Sequence, residues 1–161
     1  MKLEGSCHCG AVRFSLQSQT PVPYMRCYCS ICRKTAGGGG YAINIMGLAD
    51  TLEVIGTDYL KIYRVILENG EPSPGQRHFC TVCGSALWMA DARWPELMHP
   101  FASAMDTPLP APPERVHIMD NYRPAWAEPA ATMAGDSHFG EYPEESIQSW
   151  HEKRGLLEDL D

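Results

Sequence analysis

A chain of 161 residues with 44% apolar side chains is long enough for one domain with its own core. Its formal charge of −7 argues against a nucleic-acid binder, and no apolar run approaches the roughly 20 residues that span a bilayer. Seven cysteines are an odd number, which disfavours a secreted disulfide scaffold and points to metal ligands or redox centres in a reducing compartment.

The first residues, Met1-Lys2-Leu3-Glu4-Gly5-Ser6, run straight into a cysteine motif, so no signal peptide and a soluble cytoplasmic protein are expected. Alternation over Ala11–Leu16 puts Val12, Phe14 and Leu16 on one face of a strand. Ser30 is placed to cap a short helix over Ile31–Thr35 that Gly37 stops. Tyr41–Met46 and Thr51–Ile55 read as strands, with Gly56-Thr57-Asp58 as a turn. Tyr59–Leu67 alternates with both faces largely apolar, which predicts a central strand. Arg77–Cys80, Ser85–Met89 and Val116–Met119 are shorter strand candidates. Residues 91–135 are proline-rich, from Pro95 to Pro129, which excludes long regular elements there. A last helix is predicted over Pro143–Arg154. Pro143 suits its first turn, Glu144 and Glu145 its positive end, Lys153 and Arg154 its negative end, and Gly155 its C-cap. Ile147 and Trp150 then dock it on a sheet. Short strands joined by turns, without helices between them, give a mainly β fold of small antiparallel sheets. No internal repeat divides the chain, so residues 1–161 are read as one domain.

The cysteines fall into three groups: Cys7-His8-Cys9-Gly10, Cys27-Tyr28-Cys29-Ser30-Ile31-Cys32 and Cys80-Thr81-Val82-Cys83-Gly84. A cysteine pair closed by glycine is a zinc half-site, because the tight turn brings two sulfurs to one ion and glycine accepts the left-handed conformation. Cys7/Cys9 and Cys80/Cys83 are natural halves of one closed four-thiolate site. Cys27, Cys29 and Cys32 are then left as three ligands with an open position, the arrangement of a catalytic or substrate-binding zinc. An incoming thiolate suits that position, since soft sulfur matches a thiolate-rich centre. Three alternatives stay open: buried free thiols, a Cys29–Cys32 redox pair, and a partition that joins the trio to one outside cysteine.

Together with their neighbours, Gly5–Gly10, Arg26–Lys34 and Phe79–Leu87, these motifs closely resemble the glutathione-dependent formaldehyde-activating enzyme family, which also includes centromere protein V. The resemblance spans about residues 3–120, and the Pro-rich extension and helix over 121–161 carry no family motif. It implies an Mss4-like fold of small antiparallel sheets around zinc. It implies a structural zinc on Cys7, Cys9, Cys80 and Cys83, and a second zinc on Cys27, Cys29 and Cys32. It also implies a carbon–sulfur lyase that condenses glutathione, or a similar small thiol, with an aldehyde. Tyr28 stands where the family's middle motif carries histidine, which is expected to change the wall of the open site. No acid or histidine is placed by motif as a general base.

Arg26, Arg33, Lys34 and Arg77 lie close to cysteines, with His78 beside them. Arg26, Arg33 and Lys34 are the candidates for holding a ligand's carboxylates; the alternative is that such cations merely offset zinc–thiolate charge. Gly37–Gly40 is read as a flexible lip beside the open zinc or as a plain loop. His8, His99, His117, His138 and His151 have no spacing partner and are read as structural or surface residues. Two other functions remain: a zinc-stabilised binding module, and a thiol-redox protein without lyase activity.

Overall fold

The computed structural model describes residues 1–19, 21–127 and 134–157. Strands and turns dominate. In chain order they are β1 (Lys2–Ser6), β2 (Arg13–Gln17), β3 (Tyr24–Cys27), β4 (Ala42–Asn44), β5 (Gly47–Leu48), β6 (Glu53–Ile55), β7 (Leu60–Tyr63), β8 (Gly75–Cys80), β9 (Ala86–Asp91), β10 (Leu97–Pro100), β11 (Arg115–Ile118) and β12 (Ser137–His138). Two helices, α1 (Ser30–Thr35) and α2 (Ile147–Arg154), accompany them.

The strands form three small sheets, ordered β1-β2-β6, β5-β10-β9-β8-β7 and β12-β11-β3-β4. The first two are antiparallel throughout; in the third, β11 runs parallel to both β3 and β12. The core lies between the first two sheets, where Leu3, Phe14, Leu16, Leu87 and Trp88 meet. Phe14 packs on Trp88 at 4.9 Å between ring centres, and His78 stacks on the same indole at 4.8 Å.

Several predicted elements shift, each for a physical reason. Strand β1 was hidden from the sequence because Gly5 interrupts its apolar face. Glycine is needed there: a Cβ would stand 2.5 Å from the Phe14 ring and 2.6 Å from the Ala104 carbonyl oxygen. The apolar stretch after Tyr59 yields β7, which is an edge strand and not a central one. Ile62 and Tyr63 are about half exposed, so two apolar faces did not mean two buried faces. β10 forms inside the proline-rich stretch because Pro100 lies at its last position. The final helix starts at Ile147, not Pro143. The Ser146 hydroxyl accepts from the Ser149 amide as the N-cap, and Pro143–Glu145 lie ahead of it. Gly155 ends it in the left-handed conformation, as predicted. Trp150 is buried beneath this helix, its indole N–H donating to Glu114 at 2.8 Å. Among the described residues, no helix is long and apolar enough to cross a membrane.

Candidate metal centres and the cavity beside them

Cys7, Cys9, Cys80 and Cys83 come together although up to 76 residues separate them in sequence. Two turns, each closed by a glycine, set them. The Gly10 amide donates to the Cys7 carbonyl and the Gly84 amide to the Cys80 carbonyl, both at 2.9 Å. Both glycines are left-handed, at φ 75° and 76°. The Ser85 hydroxyl accepts from the His8 amide at 3.1 Å and so ties the two halves. The Cys83 thiol is held down to about 5, first by the Ser85 hydroxyl and then by the Ser85 amide. Cys7 and Cys9 sulfurs stand 3.5 Å apart, and Cys9 and Cys80 sulfurs 3.9 Å. Four sulfurs about 2.3 Å from a tetrahedral zinc are about 3.8 Å apart, so the donor set fits that ion. All seven cysteines are free thiols, with no disulfide among them.

Cys27, Cys29 and Cys32 form the second cluster, with sulfurs within 4.8 Å of one another. Cys27 ends β3, and Cys29, not Ser30, is the N-cap of α1: its sulfur accepts from the Cys32 amide at 3.3 Å. Hydrogen bonds from Cys27 and Cys32 hold the Cys29 thiol down to about 2. The same bonds, with burial, push Cys27 far up. The three thiols are thus strongly coupled, with the shifts favouring the thiolate at Cys29 and the thiol at Cys27. Such a set suits a divalent cation, whose arrival lets the remaining thiols ionise.

The trio opens onto a cavity of about 690 Å³, a size that holds a small organic molecule. Its walls come from two sheets and from the C-terminal segment. Met25 and Asn44 oppose each other on β3 and β4. Arg77, Met89 and His99 stand in register across β8, β9 and β10. Burial pushes His99 below its ordinary value, so its imidazole is neutral near pH 7. Tyr142–Gln148, His151 and Leu157 close the remaining side. Cys32 is raised to about 11 on balance: its bond to Cys27 lowers it, Cys29 and burial raise it, and the Arg77 charge lowers it.

The basic residues separate. Arg77 is 8% exposed and lines the cavity, whereas Arg26, Arg33 and Lys34 do not. Strand alternation explains Arg26: Met25 and Cys27 face the cavity, and Arg26 turns to the other side, over the Tyr41 ring at 4.9 Å. Tyr28 is likewise not part of the cavity wall, contrary to expectation. It is fully buried, its hydroxyl hydrogen-bonded to His117 Nδ1 at 2.9 Å. Gly37–Gly40 also does not line the cavity: Gly37 packs against the Tyr41 backbone, and Gly40 against Trp126 and Ala127.

Two histidines taken as bystanders, His99 and His151, line the cavity. Two others, His117 and His138, gather with Asp136 on the reverse face of the sheet, their rings stacked at 4.2 Å. Arg115 forks onto Asp136, one bond being 2.9 Å, so this carboxylate is already neutralised. Burial, and then His138, push His117 down to about 4. The group fits a polar lock between strands better than a cation site.

Residues 2–121 match the model of a family described as glutathione-dependent formaldehyde-activating enzyme. A Halomonas elongata protein, provisionally named as an enzyme of that kind, is 60% identical over 158 residues, 98% of this chain and 99% of its own. A crystal structure of a Rhodobacter sphaeroides protein superposes with a TM-score of 0.53 at 26% identity. It covers 66% of this chain and 91% of that one.

Proposed function

The chain belongs to the glutathione-dependent formaldehyde-activating enzyme family, and from that premise we propose that it is a zinc-dependent carbon–sulfur lyase acting on a thiol adduct, with glutathione plus formaldehyde as the model pair. The observation that carries this reading is the Cys27/Cys29/Cys32 trio opening onto a cavity of about 690 Å³. The closed four-cysteine cluster is assigned a structural zinc, and the protein a cytoplasmic location.

Cys27, Cys29 and Cys32 would hold the zinc, which would supply Lewis acidity that lowers the pKa of a thiol. The chain does the rest. Cys27, buried at the end of β3, and Cys29 and Cys32, fixed by the first turn of α1, hold their sulfurs in a rigid triangle. The cavity aligns thiolate and aldehyde and limits water around them. The sulfur lone pair forms the C–S bond to the carbonyl carbon, the C=O π pair moves to oxygen, and that oxygen takes the proton the thiol released. No oxidant is needed, and the reverse path releases the aldehyde.

Exchange spectroscopy on glutathione with ¹³C-formaldehyde tests the proposal, since the hemithioacetal carbon has its own resonance. The zinc-loaded protein should speed exchange, and Cys29→Ser should remove the effect while retaining the fold. Equal exchange with wild type, Cys29→Ser and buffer leaves a zinc-stabilised binding module as the better account.

A further inference from the structure

Three side chains in the cavity wall are more than nine-tenths buried and yet carry a polar atom without a hydrogen-bond partner. They are Arg77 (Nε, 8% exposed), Asn44 (Oδ1, 5%) and His151 (Nε2, 0%). Buried polar groups in folded proteins are almost always paired, and an unpaired one is costly. Each comes from a different part of the fold, namely β8, β4 and α2. Their convergence on one cavity therefore points to a molecule that supplies the partners.

The chemistry of that molecule follows from the three atoms. Arg77 forms no ion pair with a carboxylate among the described residues, and beyond its charge on the Cys32 thiol it offers a buried cationic donor suited to a carboxylate. The Asn44 oxygen is an acceptor. The His151 Nδ1–H donates to the Ile147 carbonyl at 2.7 Å, and in that tautomer Nε2 is an acceptor as well. The wall thus asks for one carboxylate and two N–H groups. Exposed Glu96 and Glu144 at the rim add a place for an ammonium group.

We propose that Arg77, Asn44 and His151 form a subsite for the peptide part of a small thiol, with Arg77 on a carboxylate and Asn44 and His151 on amide N–H groups. The identification of the ligand rests on the thiol-adduct reading above. Because His151 lies beyond the matched residues 2–121, the C-terminal segment acts as the specificity element.

Two probes separate the subsite from the metal chemistry. S-Methylglutathione keeps the carboxylates and amides but has no free thiol, and 2-mercaptoethanol has the thiol alone. Calorimetry on the metal-loaded full chain should show S-methylglutathione binding. Arg77→Gln and His151→Phe should each weaken it about tenfold or more. Arg77→Lys, which keeps the charge but not the fork, should lie between. In cobalt-substituted protein, 2-mercaptoethanol should still induce a thiolate band in all four proteins, which also shows that the variants fold. No binding of S-methylglutathione at millimolar concentration, or equal affinity in wild type and Arg77→Gln, overturns the subsite. If S-methylglutathione behaves as expected but no thiol alters the cobalt spectrum, the subsite stands and the thiol-adduct reading falls.

Discussion

Truncating Trp150 to alanine should release the C-terminal wall of the cavity before it unfolds the domain. Trp150 is 6% exposed, its indole N–H donates to Glu114 at 2.8 Å, and the Arg154 guanidinium lies 4.2 Å from the ring centre. Arg154 closes the circle with an ion pair to Glu114 at 2.6 Å. Removing a buried tryptophan side chain costs about 3–5 kcal/mol. The lost hydrogen bond adds about 1 kcal/mol. A helix of eight residues does not hold in water alone, so a loss of about 4–6 kcal/mol exceeds what keeps α2 docked. Hydrogen exchange should show wild-type protection in β8 and β9 and lost protection over Ile147–Arg154. Trp150→Phe, which keeps most of the apolar area, should lose only about 1–2 kcal/mol. Retained protection in α2, or an equal loss across β8 and β9, would refute the idea that this helix is held by one anchor.

The other expectations are smaller in scope. Metal analysis should find two zinc ions per wild-type chain. Cys80→Ser should lower the melting temperature sharply and Cys29→Ser only slightly, and similar losses from both would remove the distinction between a structural and an open site. His117 is held at about 4 against about 6.5 in the unfolded chain, so protons favour the unfolded state between these values. Stability should therefore be full above about pH 6.5 and decline toward pH 4; denaturant midpoints for His117→Gln should lack that slope. Arg93 forks onto buried Asp91 at 2.9 and 2.7 Å and holds its carboxyl below the usual range. Asp91→Asn should cost about 1–2 kcal/mol near neutrality, and the difference should fade as pH falls below about 4, where the unfolded chain also takes up the proton. Tyr28→Phe should cost about 1–3 kcal/mol through the orphaned His117 nitrogen and leave thiol affinity unchanged; a change in affinity would put Tyr28 back in the site.

What the sequence discloses is chemistry carried by local spacing. Both cysteine clusters follow from glycine-closed turns and from a trio within six consecutive residues, and each needs only a few dihedral angles to be right. The remainder depends on which face of a strand meets what. Arg26 and Arg77 look alike in sequence, each three residues or fewer from a cysteine, yet only Arg77 turns toward the cavity. Deciding between them needs the parallel pairing of β3 with β11, a contact across roughly 90 residues that no local pattern encodes. Asn44 and His151 are unremarkable as letters and become informative only once their burial is known. The start of α2 erred in a familiar way: Pro143 is a good first-turn residue, but the Ser146 cap three positions later won.

The two cysteine clusters also differ in when a growing chain can assemble them. The trio spans residues 27 to 32 and closes a loop of only a few residues, whereas Cys9 and Cys80 are 71 positions apart. The long loop costs more chain entropy, and its closure waits for two sheets to meet. During synthesis the trio leaves the ribosome about 50 residues before Cys80 does, several seconds at ordinary elongation rates. With both clusters holding zinc as proposed, a nascent chain would offer its local site to metal while its long-range site does not yet exist, and scarcity of zinc would be felt first as a folding defect, through the four-cysteine joint that forms last.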